Sequence, residues 1–200
     1  MDWIQHASFM SDEDIEVVAR SGRSICPTWT LYGNLIDWGS DFGVPVEIVD
    51  QFKREMDIAV KVIRRAWEAG IRLMAGTDSG FALTPYGHWH ARELELFVEY
   101  LGLKPMEAIV AATRDNALAL RNAADVGTLE VRKLADVLVI DGDPLADIRI
   151  LQDRSRLVCI LKGGVRVDTT RPWPERRVWP YEKAMILSRG LVTQEAVRRR

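Results

Sequence analysis

Short apolar segments alternate with helical segments from residue 3 to residue 75 of the chain. The first helical segment begins at Ser11, with Asp14 in the spacing of a capping box, and Gly22 closes it. Pro45 begins a second segment, which runs to about residue 69 with apolar residues along one stripe. Strands that alternate with helices are typical of a parallel sheet with crossover helices, so the sequence predicts an α/β fold. The predicted strands are 3–5, 24–28 and 71–75.

The third predicted strand leads into Asp78, within the sequence Leu-Met-Ala-Gly-Thr-Asp-Ser-Gly of residues 73–80. Gly76 and Gly80 allow the chain to leave the strand end without side-chain collisions, which would direct Asp78 into a cleft. The residues Thr-Asp-Ser-Gly also suit an Asx turn, in which the carboxylate bonds its own backbone. Taken alone, the motif favours the turn, because matches this short often arise by chance.

His6 follows the first predicted strand as Asp78 follows the third. The carboxyl ends of parallel barrel strands open on one face, so residues distant in sequence meet there. Imidazole and carboxylate both bind zinc and similar metals, which makes His6 and Asp78 a candidate metal pair. The alternative for His6 is a histidine hydrogen-bonded within the strand end, and spacing alone does not separate the two.

Two segments beside these strands are predicted as loops. Residues 29–44, rich in glycine and aromatic residues, are too long for a simple connector and fit a lid or substrate loop. The segment after Asp78 carries His88 and His90 and leads into a helix over about 89–100. Further helices are predicted from Lys104 and over 115–120.

After Gly127 the pattern changes to the two-residue period of β-strands. Strands are predicted over 135–141 and 157–167, and the second range contains a hairpin turn at Gly163 and Gly164. We therefore divide the chain into residues 1–122, a separate β unit of 123–169 and a Pro/Trp/Arg-rich tail of 170–200. Within this tail, 173–180 is predicted to be irregular and 180–200 to contain a short helix.

Composition and charge argue against a nucleic-acid partner, a membrane span and a thiolate zinc site. The formal net charge of -2 argues against a nucleic-acid partner, which needs a concentrated basic face. No apolar stretch is long enough to cross a bilayer, and residues 1–6 do not resemble a leader. Cys26 and Cys159 lie among apolar residues as reduced core cysteines do, and a disulfide between them is the less favoured alternative. The sequence has no C-x-x-C spacing, which excludes zinc held by thiolates. From the lack of a leader and of a bilayer-spanning stretch we expect a soluble cytoplasmic protein without a membrane partner.

Several segments resemble, in order, those of the amidohydrolase superfamily. Residues 4–12 resemble its sixth-strand segment, in which a histidine precedes a helix, and residues 75–80 resemble its eighth-strand segment. The resemblance covers roughly residues 4–168 and is closest to the imidazolonepropionase-like and prolidase-like branch. Similar segments also occur in the helices after the eighth strand (92–95, 105–108, 112–113) and in the return to the flanking β-sandwich (126–129, 133–139, 141–145).

The resemblance implies a partial TIM-type (β/α) barrel, strands six to eight, with a small β-sandwich segment. It also implies a metal-dependent hydrolase of carbon–nitrogen bonds in small amides, cyclic amides or dipeptides. His6 would ligate zinc or a similar divalent metal, and Asp78 would bind the metal and exchange a proton with the attacking water. His88 and His90 lie where such barrels bind substrate, and surface packing beside Trp89 is the alternative for both.

The chain lacks the other ligands that the resemblance calls for: a His-x-His pair, a bridging lysine or glutamate, and a histidine of the fifth strand. We expect the carboxyl-terminal half of an enzyme, as a fragment of a longer gene, as a truncated reading frame, or as a half-barrel completed by a partner chain or a homo-oligomer. Two ligands are too few for tight metal binding by this chain alone. The rival classes are a non-catalytic interaction module and a simple α/β protein in which Asp78 is only a turn residue.

Overall fold

The computed structural model describes residues 2–170, 188 and 190–199. Strands and helices alternate in its amino-terminal part, which confirms the predicted α/β class. The elements up to residue 68 are β1 (Trp3–Gln5), α1 (Asp12–Ser21), β2 (Ser24–Cys26), α2 (Thr30–Trp38), a 3₁₀ turn (Ser40–Phe42) and α3 (Val46–Glu68).

The strands of this region are parallel. β1 lies beside β2 with Trp3 opposite Ser24 and Gln5 opposite Cys26. On the other side of β2, Leu73 forms a parallel bridge to Ile25. The third predicted strand, 71–75, is thus present only as a bridge.

On the edge of the third parallel segment away from β2, a side chain makes the hydrogen bonds that a further strand would make. Ala75 donates its N–H to Asn116 Oδ1 at 3.1 Å, and Asn116 Nδ2 donates to the Ala75 carbonyl at 2.9 Å. Successive residues of a strand direct their backbone groups to opposite sides. Because Met74 donates its N–H to Ile25 of β2, the Ala75 groups face the edge away from β2. Asn116 satisfies that edge at one residue.

Helix α1 begins and ends as the sequence predicts. Ser11 Oγ accepts the Asp14 N–H at 3.2 Å, and Asp14 Oδ2 accepts the Ser11 N–H at 2.9 Å, which completes the capping box. Gly22 closes the helix in the left-handed conformation, with φ of 65°. This conformation suits glycine, which has no Cβ.

The prediction of a loop over residues 29–44 is wrong. Most of it forms α2 and the 3₁₀ turn, and Trp29, Leu35 and Phe42 are buried. These aromatic and apolar residues pack into the core, where backbone groups need hydrogen-bond partners that a helix supplies internally. A lid is therefore not formed by this segment.

Helices follow Asp78 and cover the parallel strands. α4 (Arg92–Leu96) continues as a π-helical turn (Phe97–Leu101), and α5 (Pro105–Val110) continues through a second π-helical turn (Ala111–Asp115) into α6 (Asn116–Ala119). The helix predicted from residue 89 begins later, at Arg92, because Trp89 has a left-handed backbone with φ of 62°. The main core joins β2, α3 and α4, and Ile25, Ile63 and Leu96 are fully buried in it.

A separate antiparallel sheet follows. β3 (Val137–Ile140) pairs with β4 (Leu157–Lys162), and β4 pairs with β5 (Val165–Arg166), as the predicted hairpin at Gly163 and Gly164 requires. Two short 3₁₀ helices, Ile148–Gln152 and Arg154–Arg156, connect β3 to β4. In the described residues this β unit is one three-stranded sheet, and the parallel strands do not close into a barrel.

The last described element is α7 (Gln194–Arg198). It falls within the short helix predicted over 180–200. The irregular segment predicted over 173–180, and residues 180–187 of that helix, lie outside the described residues. Every helix in the described parts of the chain is too short or too polar to cross a lipid bilayer.

Candidate active site

His6 lies directly after β1. Its N–H donates to the Cys26 carbonyl at 2.9 Å, which ties it to the end of β2. Its ring nitrogen Nδ1 lies 2.6 Å from Thr28 Oγ1. The Thr28 hydroxyl donates to the Pro27 carbonyl at 2.6 Å. Since a hydroxyl has one proton, Nδ1 must be the donor in the contact with Thr28, and the neutral His6 ring keeps a free lone pair on Nε2.

Asp78 faces that lone pair. Its Oδ2 lies 4.0 Å from His6 Nε2, and the two side chains are 42% and 59% exposed. The structure therefore brings the two residues together at the strand ends, with solvent access to both. A histidine that donates through one ring nitrogen and leaves the other free has the arrangement that metal-binding histidines use.

Left-handed backbone is concentrated at these strand ends. His6, Thr28 and Asp78, which follow the three parallel segments, have φ of 65°, 59° and 47°. Residues other than glycine rarely adopt this conformation, and for β-branched threonine it is a marked outlier. Such outliers cluster at functional sites, where the surrounding structure holds them in place.

The turn that carries Asp78 packs closely against β2. A Cβ at Gly76 would lie 2.6 Å from Cys26 Sγ, so only glycine fits there without displacement. Burial raises the pKa of the Cys26 thiol to about 12, with a smaller contribution from the nearby negative charge of Glu93. Cys26 is thus a packing residue with a protonated thiol, and both it and Cys159 are free.

His90 borders the same turn. Its Nδ1 lies 3.3 Å from Thr77 Oγ1, which in turn lies 2.6 Å from Ser79 Oγ. Burial lowers the pKa of His90, so its ring is favoured in the neutral form. Of the two loop histidines, His90 is the one that contacts the residues flanking Asp78.

His88 lies against the carboxyl-terminal helix. Its Nδ1 is 3.9 Å from Glu195 Oε2 of α7. The next residue, Trp89, donates its indole N–H to the Val192 carbonyl at 2.6 Å, and Val192 donates its N–H to Ala82 at 2.8 Å. These contacts tie the loop after Asp78 to the segment before α7.

The Trp89 ring also stacks on Trp38 at the end of α2. The ring centroids are 4.6 Å apart and the planes differ by 28°. The guanidinium of Arg92 lies over the Trp38 ring, 5.0 Å from its centroid, and pairs with Asp37 and Glu95. The loop is therefore anchored on α2 as well as on the carboxyl-terminal segment.

Glu93 is the residue near the site that sequence reasoning missed. It is fully buried, and its carboxylate accepts the N–H of Trp29 and of Thr30, each at 2.9 Å, and the Thr30 hydroxyl at 2.7 Å. Burial raises the pKa of Glu93 to about 7, and the donated hydrogen bonds oppose that shift. Glu93 lies four residues before the buried Phe97, on the same face of the helix. This spacing is the sequence pattern that could have predicted its burial.

The structure offers two donors for a metal ion, His6 Nε2 and the Asp78 carboxylate. Both are chemically suitable for zinc or a similar divalent ion. In the described residues no group of three or more His, Cys, Asp or Glu side chains is placed to hold a metal ion. The pair fits part of a metal site, because zinc sites normally take at least three protein ligands.

Comparison with known proteins identifies the family of the chain. The model of the amidohydrolase family matches residues 3–167, and the chain belongs to this family. A search of curated proteins found no significant match.

Solved structures of similar fold include three that are matched over more than four fifths of this chain. The "putative prolidase from Bifidobacterium longum" has 33% identity and a TM-score of 0.73, over 92% of this chain and 45% of that one. Ochratoxinase of A. niger has 28% identity and a TM-score of 0.70, over 82% and 36%. A Xaa-Pro dipeptidase with methionine bound in its active site has 26% identity and a TM-score of 0.69, over 84% and 40%. The chain thus spans less than half the length of each of these proteins.

Proposed function

We propose that this chain carries the carboxyl-terminal part of a metal-dependent hydrolase site that cleaves carbon–nitrogen bonds. Membership of the amidohydrolase family supports a hydrolase of this bond class. The observation that carries the metal-dependent part is the pairing of His6 Nε2, with its free lone pair, and Asp78 Oδ2 at 4.0 Å. On this proposal the three parallel segments are part of a TIM-type barrel.

The residues of the pair have distinct roles in this proposal. When a divalent metal ion is bound, it lowers the pKa of a coordinated water to about 7 and polarises the substrate carbonyl. His6 contributes its Nε2 lone pair as a ligand. Asp78 contributes a carboxylate oxygen, accepts a proton from the attacking water and passes it to the leaving nitrogen. Thr28 keeps the His6 ring oriented by accepting its Nδ1–H.

The substrate class follows from the related structures. They include a prolidase-type protein, a Xaa-Pro dipeptidase and an ochratoxinase, and we extend from them to a small amide or dipeptide for this chain. His90 lies beside the Asp78 turn and is the better placed of the two loop histidines to touch such a substrate. His88 would act indirectly, through the contact with α7.

The site on this chain is incomplete on its own. Two donors are fewer than a zinc site needs, and the chain spans less than half of the related structures. We propose that the remaining ligands come from an amino-terminal half, on the same polypeptide or on a partner. A cytoplasmic location stays a prediction.

Zinc titration of the folded chain tests the metal pair. We expect weak zinc binding, seen as a rise in melting temperature and as calorimetric heat, because two ligands are present. His6→Gln and Asp78→Asn should each remove it, and His88→Gln, a histidine away from the pair, should leave it unchanged. Zinc binding that survives His6→Gln, or is lost in His88→Gln, would contradict the assignment.

Hydrolysis of an amide and dipeptide panel tests the reaction. We expect turnover only when the missing half is supplied, and loss of that turnover in Asp78→Asn with an unchanged fold. If the complete, zinc-loaded protein folds but hydrolyses nothing in the panel, the chain acts as a non-catalytic module that keeps the architecture.

A further inference from the structure

Glu93 occupies an unusual place for a carboxylate. It is fully buried, and its carboxylate accepts hydrogen bonds from Trp29, the last residue between β2 and α2, and from Thr30, the first residue of α2. The N-cap residue of α2, Trp29, makes no side-chain cap of its own. Glu93 therefore supplies from α4 an acceptor for the N–H groups of the N-cap residue and the first residue of α2, which have no acceptor within the helix. Helix capping alone is the simplest explanation of this contact.

The residue directly before that segment is Thr28, which holds His6. Thr28 is buried and left-handed, with φ of 59°, a conformation that costs a β-branched residue free energy. Its hydroxyl is fixed between the Pro27 carbonyl and His6 Nδ1. A strained residue persists only where its surroundings impose the conformation, and the carboxylate of Glu93 holds the next two backbone N–H groups.

The position of the Thr28 hydroxyl determines whether His6 Nε2, which faces Asp78, has a free lone pair. In water the tautomer of neutral histidine with the proton on Nε2 predominates. The Thr28 hydroxyl reverses that preference at His6, since it accepts the Nδ1 proton. If Thr28 relaxed to an ordinary backbone conformation, its hydroxyl would leave this position, and His6 Nε2 would carry a proton in place of the free lone pair.

We propose that Glu93 is a positioning residue for the hydrolase site proposed above. By holding residues 29 and 30 it keeps Thr28 in the strained conformation that sets the tautomer and the orientation of His6. This inference rests on the proposed function for its catalytic meaning. The His6 tautomer, which reports on this positioning, can be measured without metal or substrate.

The test measures the His6 tautomer by long-range ¹H–¹⁵N correlation in histidine-labelled protein. Spectra are recorded about two pH units above the ordinary histidine pKa of ~6.5, and His6→Gln assigns the signals. In the unaltered chain we expect a protonated Nδ1 and an unprotonated Nε2. Thr28→Val, which removes the acceptor, should shift His6 toward the Nε2–H form, and Thr28→Ser should not.

The decisive variant is Glu93→Gln, which keeps the shape of the side chain and removes one of its two acceptor oxygens. We expect it to shift the His6 signals in the direction of Thr28→Val. Thr30→Val, which removes only the hydroxyl donated to Glu93, should give a smaller shift in the same direction. Glu95→Gln, two residues further along α4, is the matched control and should leave His6 unchanged.

Two results would overturn the proposal. One is a Glu93→Gln protein with native circular dichroism and unaltered His6 signals while Thr28→Val shifts them, since Glu93 would then only cap α2. The other is an unaltered His6 in both variants, since Thr28 would then not set the His6 tautomer. A shifted tautomer together with no zinc binding would refute the proposed function and leave the positioning role of Glu93 in place.

Discussion

The parallel-strand region and the antiparallel sheet use similar apolar sequences with opposite results. Ile25 of β2 is fully buried, whereas Leu138 of β3 is 58% exposed and Val165 of β5 is 71% exposed. Each parallel strand is followed by a helix that covers it, whereas β3, β4 and β5 are joined by a connection with two 3₁₀ helices and by a hairpin turn. Apolar composition therefore predicts a strand, and the covering elements decide whether the strand is buried.

Apolar residues of β3, β4 and β5 are exposed in this chain. Large apolar side chains that stand exposed on a sheet are candidates for contact with another layer of structure. The chain spans less than half of the related solved structures. A second layer over β3, β4 and β5 would complete the β-sandwich that the sequence predicts.

The largest difference between the two regions is expected from truncating one leucine in each. Leu96→Ala should reduce the free energy of unfolding by about 2–5 kcal/mol, because it leaves a cavity in the main core. Leu138→Ala should change it by no more than about 0.5 kcal/mol. Urea unfolding of both variants measures the contrast. Equal losses would mean that the sheet is covered in solution.

A second comparison separates close packing from backbone strain. Gly76→Ala should cost about 1–3 kcal/mol by overpacking, since the new Cβ would lie 2.6 Å from Cys26 Sγ. Cys26→Ala removes that sulfur and should restore part of the loss in the double variant. Gly163→Ala in the hairpin meets nothing within 4 Å, but its φ of 56° costs a side chain about 1 kcal/mol.

Melting temperatures of Gly76→Ala, of Cys26→Ala and of the double variant form a cycle that checks this assignment. A double variant as unstable as the sum of its parts would exclude the steric explanation. Cys26→Ala should not rescue Gly163→Ala, which serves as the control in the other region.

The third contrast is a difference in the pH dependence of stability. Burial raises the pKa of Glu93 from 4.5 to about 7. Between these values the folded chain holds a proton that the unfolded chain has released, so stability falls as pH rises. The slope is at most about 1.4 kcal/mol per pH unit. Glu93→Gln should flatten this window in urea titrations.

In the antiparallel sheet, Asp136 makes stability depend on pH in the opposite direction. The hydrogen bond from Lys162 and the Gly163 N–H lower the pKa of Asp136 below its ordinary 3.8. The stabilisation by Asp136 is present above that pH and is lost as the pH falls through its lowered pKa. Asp136→Asn should alter only this acidic range. If Asp136→Asn flattens the range from about 4.5 to 7 instead, the two contributions have been assigned to the wrong regions.

Local patterns carried most of the correct predictions. The capping box of Ser11 and Asp14, the closing Gly22 and the hairpin at Gly163 and Gly164 each depend on residues within a few positions of one another. The order of strands and helices also follows from hydrophobic periodicity along the chain. The meeting of His6 with Asp78 could be expected because parallel strands end on one face.

The features that could not be predicted from the sequence depend on contacts between residues far apart in the chain. Helix α2 is capped by Glu93, whose partner Thr30 is 63 residues away, and no local pattern signals such a cap. Asn116 similarly pairs with the edge of the third parallel segment from 41 residues away. The left-handed Thr28 is a β-branched residue in a conformation that local preference disfavours, so only the tertiary contacts explain it.

The stacked Trp38 and Trp89 give the folded chain an optical signal of its own. Indole rings 4.6 Å apart couple their electronic transitions, and the coupled pair contributes an exciton band to the circular dichroism spectrum. One ring belongs to the loop after Asp78 and the other to the end of α2, the helix that Glu93 caps. A molecule that displaces this loop would change the exciton band, so occupancy beside Asp78 can be followed without an added chromophore.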